Sequence, residues 1–139
     1  MSLLDRMSSS QVITVGLTVF HGVSAALTVH RPNMVEIVGV YGAFHDVMPT
    51  TSWGLWMALT AIILLLAPKG SFIRLLGQFF SVSILAIFSV LVSAVVGINW
   101  GTIAYAFLAW GSLLVMGETA GEWFDRRRWY RRMVAKRHG

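Results

Sequence analysis

With 139 residues, 56% of them hydrophobic and only 12% charged, the chain is too apolar for a soluble globule of ordinary composition and reads as one small membrane domain. It contains no cysteine, which excludes disulfides, zinc–thiolate sites, iron–sulfur ligation and thiol nucleophiles within the chain. The net charge of +5 is gathered beside an apolar segment, so anionic lipid headgroups or an acidic partner surface are the expected contacts, ahead of nucleic acid.

Crossing about 30 Å of hydrocarbon as a helix takes about 20 apolar residues. The first such segment covers residues 11–30, behind Ser8, Ser9 and Ser10, which can cap it. Its charged opening, apolar run and Ser24-Ala25-Ala26 share traits with a secretory signal, but it is expected to persist as a span. Thr14, Thr18, His21 and Thr28 recur along it at intervals near 3.5, with Ala25 filling the remaining place. His21 falls near mid-membrane, where an imidazole can bind a metal, ligate haem or pass a proton. A neutral histidine bonded to a neighbouring hydroxyl or carbonyl is the structural reading of the same residue. Haem held by two histidines of this chain is disfavoured, because His30 lies nine residues on, on the opposite helical face. Apart from bound lipid, no metal or cofactor is expected.

Residues 31–52 are ambiguous: Met34, Ile37, Val38, Tyr41, His45 and Met48 recur at helical spacing, while Glu36, Asp46, Gly39 and Gly42 interrupt them. An interfacial or re-entrant segment on the outer side fits this pattern. A fifth span does not, since about 15 residues reach only about 22 Å at helical rise and two carboxylates would be buried in lipid. His45 and Asp46 with Glu36 make at most a small polar site facing water.

The second span, residues 53–68, is shorter and breaks at Pro68-Lys69-Gly70. The third and fourth, residues 72–98 and 100–120, are separated only around Asn99-Trp100-Gly101, which predicts a tight antiparallel hairpin. The expected fold is an all-α integral membrane protein of four spans in two antiparallel hairpins. Gly77, Ser81, Leu85, Ser89, Ser93 and Gly97 follow one another at intervals of four, a small-residue stripe of the kind that lets membrane helices approach closely. Glu118 near the inner face and Arg74 entering the third span from the same side are expected to pair across the hairpin, and Glu122 with Arg126 to pair at helical spacing.

Residues 121–139 form a basic tail: Arg126, Arg127, Arg128, Arg131, Arg132, Lys136 and Arg137 are seven of the eleven Lys and Arg residues in the chain. With four spans and both termini inside, Arg6, Lys69, Arg74 and this tail lie on the cytoplasmic or matrix side and only Arg31 outside, ten charges against one. Trp53, Trp56 and Trp100 then mark the outer interface and Trp123 and Trp129 the inner one. Arginines interleaved with Trp123, Phe124, Trp129 and Tyr130 suit anchoring at headgroups or on a protein better than base stacking.

Phosphate loops, paired metal-binding histidines and nucleophile motifs are not found in the sequence, so an enzyme is not expected. The leading expectation is a non-catalytic accessory or structural subunit of a larger inner-membrane complex, assembled by helix packing. The layout, a short multi-span chain ending in a charged tail, is also similar to that of phage holins; the likeness covers gross organisation and implies a pore-former acting through copies of itself. A small transporter or proton-conducting subunit using His21 and Glu118 is the third class.

Overall fold

A computed structural model describes residues 8–31 and 42–137. The described chain is helical, with no strand among the described residues. Helix α1 spans Ser9–His30, a short α2 Gly42–Val47, α3 Thr50–Leu66, α4 Phe72–Val96 and α5 Trp100–Arg137.

Each boundary has a local cause. Ser8 opens α1 through a reciprocal box: its hydroxyl accepts from Gln11 N at 3.4 Å, and its own N–H donates to Gln11 Oε1 at 2.9 Å. Pro49 stands immediately before α3, whose last turn gives way to Ala67 and Pro68, the latter unable to continue a helix. Gly70, at φ +63°, turns the chain back, and the Ser71 hydroxyl caps α4 by accepting from Arg74 N at 3.1 Å. At Gly97, φ reaches +75° and α4 ends, two residues before the expected boundary of the third span. Asn99 Oδ1 then accepts from Thr102 N at 3.0 Å and starts α5. The apolar residues 100–120 and the basic residues after them belong to one helix: α5 runs unbroken for 38 residues, about 57 Å at helical rise.

Four helices form an up-and-down bundle in which α1 packs on α3, α3 on α4, α4 on α5 and α5 on α1. Antiparallel pairing follows from the residues that meet: Thr28 of α1 lies against Gly54 of α3, Ile63 of α3 against Gly77 of α4, and Phe72 of α4 against Trp123 of α5. The bundle end from which the basic part of α5 emerges, with Ser8, Lys69 and Glu118, is the proximal end; Thr28, Thr50 and Asn99 mark the distal end.

The distal core joins Ala25, Trp53, Met57, Ile84, Phe88 and Val92 to Phe44 of α2. Phe88 is its hub, with ring centroids 4.6 Å from Phe44, 5.2 Å from Trp53 and 5.5 Å from Tyr105. Trp53 Nε1 donates to Phe44 O at 2.9 Å, so this tryptophan faces the bundle and holds α2 against it, where the sequence predicts a lipid-interface position. Of the ambiguous stretch, residues 32–41, including Glu36, lie outside the described residues, while His45 and Asp46 are exposed.

The outward faces are apolar, with Val12, Val15, Val19 and Val23 on α1 and Leu55, Ile62, Leu65 and Leu66 on α3 all exposed. Among the described residues, α1, α4 and α5 are long and apolar enough to cross a bilayer; α3, at 17 residues, is a shorter apolar helix. An apolar outside around a partly polar inside is the arrangement of a membrane protein.

Candidate functional site

The polar groups of this chain are concentrated along the bundle axis. His21 of α1 is fully buried, and its Nε2 lies 2.9 Å from Ser81 Oγ of α4. This bond runs across the bundle, between helices that are not neighbours in its ring of close pairs. One turn toward the start of α4, the fully buried Gln78 receives a hydrogen bond at Oε1 from Ser112 Oγ of α5 at 3.1 Å. Three helices therefore contribute to a polar layer within an otherwise apolar core. Two of its nitrogens, His21 Nδ1 and Gln78 Nε2, have no hydrogen-bond partner among the described residues. A buried polar atom without a partner costs about 1–3 kcal/mol, so two in one layer require a reason.

Cavities flank this layer. At the proximal end about 60 Å³ is enclosed by polar residues that include Ser10, Thr14, Lys69, Arg74, Glu118 and Glu122. At the distal end a cavity of about 190 Å³ is lined by Ser24, Thr28, Arg31, Thr50 and Tyr105 together with Phe44, Trp53, Met57 and Phe88. Thr14 and Thr28 each lie seven residues from His21, about 10 Å along α1 in either direction.

The threonine stripe of α1 serves its own backbone. Thr14 Oγ1 donates to Ser10 O at 2.7 Å, Thr18 Oγ1 to Thr14 O at 2.8 Å and Thr28 Oγ1 to Ala25 O at 2.7 Å. The small-residue stripe of α4 is divided among neighbours within the chain. Gly77 sits against Ile63 and Leu64 of α3, Ser81 meets His21 of α1, and Ser89 Oγ donates to Thr102 O of α5 at 3.1 Å. Ser93 turns back to Val90 O at 2.8 Å. Gly97 is exposed and a Cβ there would meet nothing, so its place in the stripe reflects the turn and not packing.

Arg74 and Glu118 line one cavity without forming an ion pair among the described residues. Arg74 Nη1 instead donates to Ala67 O at 3.0 Å, satisfying a carbonyl left free at the end of α3. Glu118 itself is exposed. Glu122 and Arg126 both reach toward Gly70, where a Cβ would come within 3.1 Å of Glu122 Oε2 and 3.2 Å of Arg126 Nε.

In the tail, Arg127 stacks its guanidinium 4.6 Å from the Trp123 ring, which is itself 6.1 Å from Phe72. Every residue from Phe124 to Met133 is exposed, including Arg126, Arg127, Arg128, Arg131 and Arg132. The backbone of α5 continues through Lys136 and Arg137, whose side chains, like Arg6, lie outside the described residues.

Sequence reasoning missed Gln78 and Ser112. The signal for Gln78 was an amide in a long apolar run, three residues before Ser81 and so on the same helical face. Among the described residues no cluster of three or more His, Asp or Glu side chains suited to a metal is found. Compared with known protein families, curated proteins and solved structures, the chain matches none.

Proposed function

We propose that the chain is a non-catalytic polytopic subunit of a larger complex in a bacterial or organellar inner membrane, crossing the bilayer four times with both ends on the cytoplasmic or matrix side. The observation that carries this reading is the arm of α5. The helix is about 57 Å long against about 30 Å of hydrocarbon, and every residue from Phe124 to Met133 is exposed, with Arg128, Trp129, Tyr130, Arg131, Arg132 and Met133 beyond the Arg127–Trp123 stack. Such an arm is complemented by an acidic face on a neighbouring subunit, with anionic headgroups beneath it. Orientation is supported by the ten-to-one distribution of Lys and Arg. As the second of four spans, α3 at 17 residues is accommodated by local thinning of the bilayer.

The test is purification from the native membrane in mild detergent, with identification of what stays bound. A fixed set of different subunits, lost when Arg126, Arg127 and Arg128 are changed to Gln, is the expected result. Recovery of the chain alone overturns the proposal, and recovery only with copies of itself replaces it with the holin-like pore-former. The proton-conducting reading is favoured by a separate observation, the position of His21 between two cavities.

A further inference from the structure

Three features coincide at the bundle centre: an imidazole with one nitrogen bonded and one without a partner among the described residues, an amide whose N–H likewise has none one turn away, and a cavity toward each end, polar at the proximal end and mainly apolar with Ser24, Thr28 and Thr50 at the distal end. We infer that protons cross the bundle core between its two end cavities by way of His21. The inference rests on the chain spanning the membrane and is independent of whether it joins a larger complex.

Imidazole suits this role because its two nitrogens lie on opposite edges of one ring, so a proton is taken up at one and released at the other. A proton arriving from the proximal cavity, whose lining sets the carboxylates of Glu118 and Glu122 beside Lys69 and Arg74, bonds to Nδ1. The Nε2–H bond then breaks toward Ser81 Oγ, 2.9 Å away, and the proton leaves through water to the distal cavity beside Ser24 and Thr28. The ring resets by turning about its Cβ–Cγ bond with relay of the Nδ1 proton to Nε2 through a water, since the two nitrogens of one ring cannot exchange a proton directly. Proton number is conserved, and the gradient across the membrane supplies the driving force. Gln78 Nε2, one helical turn from Ser81 in the same layer, is a further donor available to a water that enters the core.

The surroundings select a proton over a hydrated ion. Leu17 lies one turn from His21 on α1 and Leu85 one turn from Ser81 on α4, and with Leu64 they form a fully buried apolar cluster. A hydrated potassium or sodium ion cannot pass closely packed leucines, whereas a proton needs only a brief file of water molecules.

The experiment uses the full chain in vesicles of neutral and anionic phospholipid, with a pH-sensitive dye inside and a potassium diffusion potential set by valinomycin. Proton entry faster than in protein-free vesicles is expected, falling to the protein-free rate in His21→Phe and partly in Gln78→Leu. Helix content by circular dichroism and elution as one species show whether each variant is folded. A misfolded His21→Phe is replaced by Ser81→Ala, which keeps the ring and removes the acceptor and is expected to lose most of the flux. Wild-type flux no faster than protein-free vesicles, or flux retained in folded His21→Phe, overturns the inference. Sodium entry matching proton entry also overturns it, since that marks an open pore. Alkaline extraction of the vesicles keeps the two readings apart: a chain that washes off refutes the spanning, while a chain that stays without flux refutes only the proton path.

Discussion

Gly54 of α3 lies so close to Thr28 of α1 that a Cβ on the glycine would overlap the Thr28 hydroxyl, itself bonded to Ala25 O at 2.7 Å. Relief requires either breaking that bond or parting the two helices. Gly54→Ala is therefore expected to destabilise the bundle by about 1–3 kcal/mol, the usual cost of overfilling a packed contact. Two further glycines serve as controls. A Cβ at Gly16 meets nothing, so Gly16→Ala is expected to stabilise α1 by up to about 1 kcal/mol. A Cβ at Gly97 also meets nothing, but the φ of +75° makes Gly97→Ala costly by about 1 kcal/mol through backbone strain alone. Thermal unfolding in detergent should order the variants Gly16→Ala, wild type, Gly97→Ala, Gly54→Ala from most to least stable.

The bond between His21 and Ser81 should appear as a coupling energy. Ser81→Ala leaves the His21 ring buried with neither nitrogen bonded, and a loss of about 1–3 kcal/mol is expected. In a double-mutant cycle with His21→Phe the coupling should be about 0.5–1.5 kcal/mol. Strictly additive effects on unfolding would mean that the two side chains do not interact in the membrane.

The absence of cysteine makes the proposed four-span topology directly testable. Ser9→Cys, His45→Cys and Arg131→Cys each place one thiol at an exposed position. A membrane-impermeant maleimide applied to intact cells should label His45→Cys only, and all three after the membrane is opened. Labelling of Ser9→Cys from outside would rule out four spans with both ends inside.

Affinity of the purified chain's arm for anionic surfaces should depend on charge and salt. Each basic residue close to such a surface contributes about 1 kcal/mol, so replacing Arg126, Arg127 and Arg128 with Gln should weaken capture of a peptide covering residues 121–139 by anionic vesicles by roughly a hundredfold. Raising the salt should narrow the gap between the two peptides. Equal capture of both would leave the aromatic side chains as the anchor.

Local signals carried the reading of most elements. Ser8 before α1, Pro68-Lys69-Gly70 after α3 and Asn99 before α5 act through their own backbone and immediate neighbours, so they are visible in sequence, whereas Gly97, read as part of the packing stripe, is the residue that ends α4. The rise in charge density at Glu118 and Glu122 marks a change of solvent, and the helix continues through it because arginine is itself a good helix former. His21 stood out by its chemistry, but its partner Ser81 lies 60 residues away and Gln78 meets Ser112 across 34. Such pairings depend on how each helix is rotated about its axis. The four-residue stripe on α4 indicated a close-packed face without showing that three different helices share it.

The length of α5 has a mechanical consequence. Ser112, which bonds the Gln78 amide in the core, and the exposed arginines of the arm belong to one unbroken rod with no hinge between them. Whatever turns or tilts the arm acts as a hand on a lever whose buried part is bonded to Gln78, one helical turn from Ser81. The buried polar layer is thereby linked to the exposed arginines by a single continuous element, so a force on the arm reaches the layer's geometry.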